Sequence, residues 1–309
     1  MTIFLTLLGK ILPLYFSIVL GVLSTLILKC DKESIAKILL FILAPLIVFN
    51  ATINVKLDMS VVFLPTFFFC FSTVLAFTLL YIFKKVYSDN TSNLLAFSTA
   101  TGNTGNIGIP LAILFLDSKY VDIFIFTVLA SILYQNSVGY FITAKGNFTA
   151  KQSLIKVLKL PILYAFILGL VLNLNHIKMP EIFIDYSFFI KGAYAILGMM
   201  LLGMGMEKIK FNNQYFDLKF IISAMFIKFA LWPLFILLFI YIDKNYLLFL
   251  NDSGLYMVMF LFSIVPLAGN TVTVATLLNV KPEKMSLTVF ISTIISLVYI
   301  PFVLYIYNS

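Results

Sequence analysis

Arginine is absent from this sequence: all 21 basic residues are lysine. A nucleic-acid surface normally uses arginine and gathers its charge on one soluble face, so the net charge of +8 is not read as a nucleic-acid signal. Histidine is nearly absent too. His176, the only one, falls in an expected loop, which leaves no histidine for a metal cluster or a buried general base. Two cysteines, Cys30 and Cys70, form neither a metal-ligand pattern nor a disulfide framework. Charge of either sign is scarce at 11% of residues, against roughly 25% in soluble domains. The thirteen acidic residues all fall in or beside expected loops, so no carboxylate is expected near the middle of an apolar run. No metal and no cofactor are expected.

Apolar residues make up 62% of the 309 positions, and the mean hydropathy is +1.08. No soluble fold hides that much apolar surface, so the expected solvent is the lipid bilayer. Membrane β-barrels alternate apolar and polar residues, whereas these runs are continuous over about twenty residues and should be helices. Runs bounded by charges predict ten spans, at 4–28, 34–53, 61–83, 94–116, 121–143, 159–174, 188–206, 218–242, 254–278 and 285–307. The first run lacks a basic flank and is too long for a signal peptide, so it counts as a span.

Lysine distribution predicts orientation. Alternate loops carry fourteen lysines, among them Lys29, Lys84, Lys145, Lys208 and Lys281; the opposite loops carry five, Lys56, Lys119, Lys178, Lys191 and Lys244. The lysine-rich side should be cytoplasmic, which puts both termini on the non-cytoplasmic side of the cell membrane.

The two halves echo each other. Leu12-Pro13-Leu14 with Gly21 matches Leu160-Pro161-Ile162 with Gly169 at an offset of 148. Pro65 matches Pro233 at 168, and Gly102-Asn103-Thr104 matches Gly269-Asn270-Thr271 at 167. A five-span unit crosses the membrane an odd number of times, so its second copy enters from the opposite side. The expected organisation is a first five-helix repeat at 1–143, a cytoplasmic linker at 144–158, and a second, inverted repeat at 159–309. Inverted repeats are a recurrent plan of secondary transporters.

Two segments carry the candidate chemistry. Thr101 to Pro110 holds three glycines, two asparagines and a proline in the middle of the fourth run. Pro266 to Thr271 has the same character in the ninth. Glycine and proline should break both helices, and broken backbone at membrane depth belongs inside protein or beside a cavity. Symmetric breaks in two halves point to a transport site. The candidate substrate-binding residues are Asn103, Thr104, Asn106, Gln135, Asn136, Asn270, Thr271 and Lys228, and the candidate helix-crossover residues are Gly108, Pro110, Pro266 and Gly269. Close packing through small residues, with amides bonding between helices, would account for the same pattern. Lys228 is the one charge expected deep in a span. It either sits beside an anion path, or snorkels, or donates to broken backbone next to it. Lys10 and Lys191 lie nearer expected span ends and should snorkel.

The stretch Gly102-Asn103-Thr104-Gly105-Asn106-Ile107-Gly108-Ile109-Pro110-Leu111 resembles the fourth helix of the auxin efflux carrier family. Ala44-Pro45-Leu46-Ile47-Val48-Phe49, Lys159-Leu160-Pro161 with Gly169, Leu202-Gly203-Met204, Lys228 before Pro233, and Pro266 with Asn270 and Ala275 extend the likeness along the chain. The resemblance implies ten helices in two repeats, helices four and nine crossing at their prolines, and a scaffold half and a transport half that move against each other, often in a homodimer. The long cytoplasmic loop of some plant members is missing, so the likeness is to compact bacterial members. The expected activity is export of a small organic anion, auxin-like or dicarboxylate, by alternating access. A sodium-coupled symporter of the bile-acid type is the alternative, which the lack of intramembrane carboxylates disfavours. An embedded enzyme or a channel fits the sequence less well.

Overall fold

The computed structural model describes residues 2–144, 155, 157–205 and 216–307. Most of the expected linker, the end of the seventh expected span at Met206, and Lys145, Lys151, Lys156, Lys208 and Lys210 lie outside these residues. The chain is all-helical, with 82% helix and no strand among the described residues.

Twelve helical segments organise the described chain: α1 (Thr2–Leu26), α2 (Lys32–Asn54), α3 (Met59–Phe83), α4 (Thr91–Thr99), α5 (Ile109–Phe115), α6 (Ser118–Thr143), α7 (Pro161–Leu174), α8 (Glu181–Met204), α9 (Leu218–Leu247), α10 (Ser253–Ile264), α11 (Asn270–Leu277) and α12 (Pro282–Tyr307). Seven of them, α1, α2, α3, α6, α8, α9 and α12, are long and apolar enough to cross a membrane. α7 and α10 are shorter apolar helices. The fourth and ninth expected spans are each divided, into α4 with α5 and α10 with α11, so neither piece has spanning length.

The clustering of acids at helix ends has a structural cause. Four aspartates cap helix N-termini with their side chains. Asp31 accepts from the amides of Glu33 and Ser34, Asp58 from Val61, Asp217 from Phe220, and Asp252 from Gly254 and Leu255. Each satisfies amides that the first helical turn leaves unpaired. Charge does not always end a helix, however. α8 begins at Glu181, seven residues before the boundary expected at 188, because Pro180 sets its start and Glu181 suits the positive end of the helix dipole. Two prolines deform α2 and α9 instead of ending them. A π-helical turn at Leu39–Leu43 precedes Pro45, and one at Ile227–Leu231 precedes Pro233. A proline lacks the amide that would bond back along the helix, and the wider turn absorbs the loss.

The helices can be divided into two groups, which touch each other where α2 meets α6, where α8 meets the 104–108 turn and where α1 meets α12. In the first, α1 lies along α8 and α7 lies along α2. Both pairs approach through glycine: a Cβ on Gly21 would overlap the Met200 carbonyl, and one on Gly169 would sit 2.9 Å from the Phe49 oxygen. The Asn173 side chain of α7 also donates to the carbonyls of Thr52, Ile53 and Val55 at the end of α2. The second group contains α3 to α6 and α9 to α12, with α3 packed on α6 and α4, α9 on α10, and α11 on α12.

Candidate functional site

The first break is four residues long. α4 stops at Thr99, residues 100–103 are non-helical, and a π-helical turn at Thr104–Gly108 leads into α5. The Asn103 side chain caps that turn by accepting from the Asn106 amide at 3.2 Å. The second break covers residues 265–269, where Val265 is extended (φ −70°, ψ 148°) because the following Pro266 disfavours helix before it.

The breaks meet and satisfy each other. The Asn103 amide donates to the Pro266 carbonyl at 2.8 Å. Gln135, from α6, bridges them: its amide nitrogen donates to the Thr101 hydroxyl at 2.9 Å, and its oxygen accepts from the Asn270 side chain at 3.0 Å. At the end of α4 the Thr99 carbonyl accepts from the Trp232 indole at 2.7 Å, and the Leu267 amide donates to the Ser292 hydroxyl at 3.3 Å. Backbone freed by the breaks is thereby paired inside protein, as a membrane interior requires.

A cavity of about 430 Å³ opens from the two breaks. Of the residues anticipated from sequence, Asn103, Thr104, Asn106, Gln135, Asn136, Asn270 and Gly269 line it. Asn103 also presents a buried side-chain nitrogen with no hydrogen-bond partner among the described residues. Asn136 is partly occupied by its own helix, donating to the Ile132 carbonyl at 2.9 Å. Among the described residues the lining contains no acid, and Lys32 is its one charged residue.

The remaining anticipated residues sit behind the lining. Thr271 is fully buried and donates to the Ala268 carbonyl at 2.5 Å. Pro110 is inside α5, well past the break, and Gly108 is in the π-helical turn against the Phe124 ring. Of the prolines, only Pro266 is part of a break. Lys228 lies behind the first break: it is fully buried, its ammonium sits 3.9 Å from the Trp232 ring centre, and a Cβ on Gly102 would be 2.8 Å from its nitrogen. The Lys228 nitrogen has no hydrogen-bond partner among the described residues.

Sequence reasoning missed Tyr194, Thr273 and Thr293, which also line the cavity. Tyr194 projects from α8 of the first helix group toward Gly105 of the second. A lone tyrosine in an apolar run reads as packing mass, so nothing in its spacing singles it out. Lys191 departs from the expected snorkelling. Because α8 starts early, Lys191 is well inside it and pairs with Asp122 of α6 at 2.6 Å, both largely buried.

Away from the spans, ion pairs tie the lysine-rich end of the second group. Lys281 bonds Asp89 and Thr91, and Lys284 bonds Asp217 at 2.7 Å. The Lys281 ammonium holds the Asp89 carboxyl well below its ordinary value. Burial works to raise Asp217, but hydrogen bonds from Lys284 and the Phe220 amide outweigh it and hold that carboxyl down as well.

The profile of a family described as membrane transport protein matches residues 6–304, almost the whole chain. No curated protein matches the sequence closely enough to count as a relative. That family consists of transporters and is not an enzyme family. With its apolar helices, broken backbone and polar cavity, the chain belongs to the membrane transport protein family that includes the auxin efflux carriers.

Proposed function

We propose that this protein carries a small organic anion with some apolar character across the membrane by alternating access. The observation that carries the reading is the composition of the cavity: amide and hydroxyl side chains converge from both breaks, apolar residues surround them, and none of the described residues in the lining is an acid. Its volume is within the range of small-ligand sites. A carboxylate would accept from the unpartnered Asn103 nitrogen and from the amides of Asn106, Gln135 and Asn270. Lys228 would act from behind the first break as a fixed positive element without touching the ligand.

Ten membrane passages in two inverted repeats of five form the scaffold of this reading. The matched glycines support it. Gly21 and Gly169, 148 residues apart, each fit against a carbonyl of a partner helix, and those carbonyls, Met200 and Phe49, are 151 apart. One contact thus recurs in both halves. The lysine-rich end is proposed to face the cytoplasm. The cavity lining extends toward that end, to Lys32, Gly205 and Ser286, which suits loading from inside and export.

Reconstitution into proteoliposomes tests the proposal. Efflux of a labelled aromatic or dicarboxylic acid should saturate and proceed without sodium. Flux that requires sodium would replace this reading with the symporter, and ionic currents far above carrier rates would replace it with a channel.

A further inference from the structure

Alternating access, on which the following rests, needs a barrier on whichever side of the site is closed. Among the described residues, the cavity lining extends toward one end of the bundle only. On α6 it is lined from Val128 to Asn136, and on α8 from Tyr194 to Gly205. Both stretches run toward the same lysine-rich end. Asp122 precedes Val128 by six residues and Lys191 precedes Tyr194 by three, about 9 Å and 4.5 Å along their helices. The Asp122–Lys191 pair therefore lies just past the closed end of the cavity.

The pair also joins the two helix groups. Among the described residues, the ion pairs Lys37–Glu33, Lys119–Asp252, Lys281–Asp89 and Lys284–Asp217 each stay within one group. Asp122–Lys191 alone links α6 of the second group to α8 of the first. The Tyr15 hydroxyl, donating to the Leu297 carbonyl at 2.7 Å about one turn past the cavity-lining Thr293, also crosses the boundary, but it is uncharged.

We propose that Asp122 and Lys191 form the latch of a gate on the closed side, made in this conformation and broken when the cavity opens to that side. The physical argument is differential solvation. Closed, the two charges are largely out of water and compensate each other; open, each meets water and needs no partner. Removing one partner leaves an uncompensated charge in the closed state alone, which shifts the equilibrium toward opening.

The test uses the full chain in sealed vesicles, with Cys30 and Cys70 replaced by serine. Thr273→Cys, exposed on the cavity wall, reports access, and Lys178→Cys, exposed on the closed side, marks that side. A membrane-impermeant maleimide added from the Lys178 side should label Thr273→Cys slowly. Asp122→Asn and Lys191→Met should each speed that labelling by about tenfold. The swap Asp122→Lys with Lys191→Asp should return it toward the parent rate. Unchanged labelling in both single variants would overturn the latch, as would a swap that labels as fast as they do, since lost packing would then explain the effect. If the single variants do not fold, Asp122→Cys with Lys191→Cys, joined by a short bifunctional thiosulfonate, replaces them. The joined protein should lose closed-side labelling and flux until reduced, and unaffected flux would contradict the proposal. Labelling needs no substrate, so a failed anion assignment would appear as absent flux with labelling still responsive.

Discussion

The two breaks occupy matched positions in sequence and meet in space, yet they are built differently. The first depends on Gly102 and on Asn103, whose side chain caps the next turn; the second depends on Pro266. Around Gly102 the space is full, with Val265 and the Lys228 ammonium within 3 Å of where a Cβ would sit, whereas a Cβ on Gly269 would meet nothing within 4 Å. The difference separates two roles. The first break is wedged between its neighbours and fixes the crossing, while the second leaves open space on the ligand side.

The largest effect should come from removing the shared polar floor. In Asn103→Ala with Asn270→Ala, carboxylate flux should fall about a hundredfold, since each lost hydrogen bond to a charged ligand is worth about 1.5–3 kcal/mol. Flux within twofold of the parent would remove both asparagines from the site.

The glycines sharpen the contrast directly. Gly102→Ala should destabilise by about 1–3 kcal/mol through overpacking against Val265 and Lys228. Gly269→Ala should be neutral or stabilising by up to about 1 kcal/mol, because Gly269 has helical dihedrals that alanine adopts freely. Thermal unfolding in detergent reads both, and equal losses would erase the distinction between the breaks.

Smaller effects follow from the groups that pair the broken backbone. Trp232→Phe leaves the Thr99 carbonyl unpaired and should cost about 1–3 kcal/mol, partly offset if water enters. Ser292→Ala removes a longer bond to Leu267 and should cost less, about 1 kcal/mol. The reverse order would mean that the second break is the more tightly held.

The smallest expected effect lies at the lysine-rich end. Asp89 has a folded-state value depressed below its ordinary 3.8, so its contribution is present above that value and is lost as pH falls toward the folded one. Thermal stability should therefore decline as pH drops below about 4, and Lys281→Ala should flatten the part of that decline due to Asp89. Asp89 is half exposed, so solvent screening keeps the change small. A variant whose acid limb matches the parent would show that this pair contributes nothing measurable.

Much of this was legible in sequence because bilayer physics is restrictive. Long apolar runs have few solutions, and glycine with asparagine in the middle of one signals broken backbone. Asn103, Thr104, Asn106 and Asn270 are anticipated on those grounds, Gln135 and Asn136 as amides too costly to leave facing lipid, and all line the cavity. What failed was whatever depends on the neighbouring helix. Proline reads as a breaker, but α4 already stops at Thr99 and Asn103 caps the π-helical turn that follows, so Pro110 sits in the first turn of α5, where a proline is tolerated. Thr271 is a polar residue that satisfies itself on its own backbone, which spacing cannot reveal. Lys191 reads as near a span end because the expected span starts at 188, and its partner Asp122 lies 69 residues away in sequence.

The central claim is that the floor made by the two breaks binds a carboxylate. It is tested most directly by thermal unfolding of the purified protein in sodium-free buffer against small aromatic and dicarboxylic acids. A ligand at a hundredfold excess over its Kd should add about 2.7 kcal/mol to the parent. The account predicts a shift for at least one such acid, lost in the Asn103→Ala, Asn270→Ala double variant. A shift that appears only with sodium, or persists undiminished in the double variant, would contradict it.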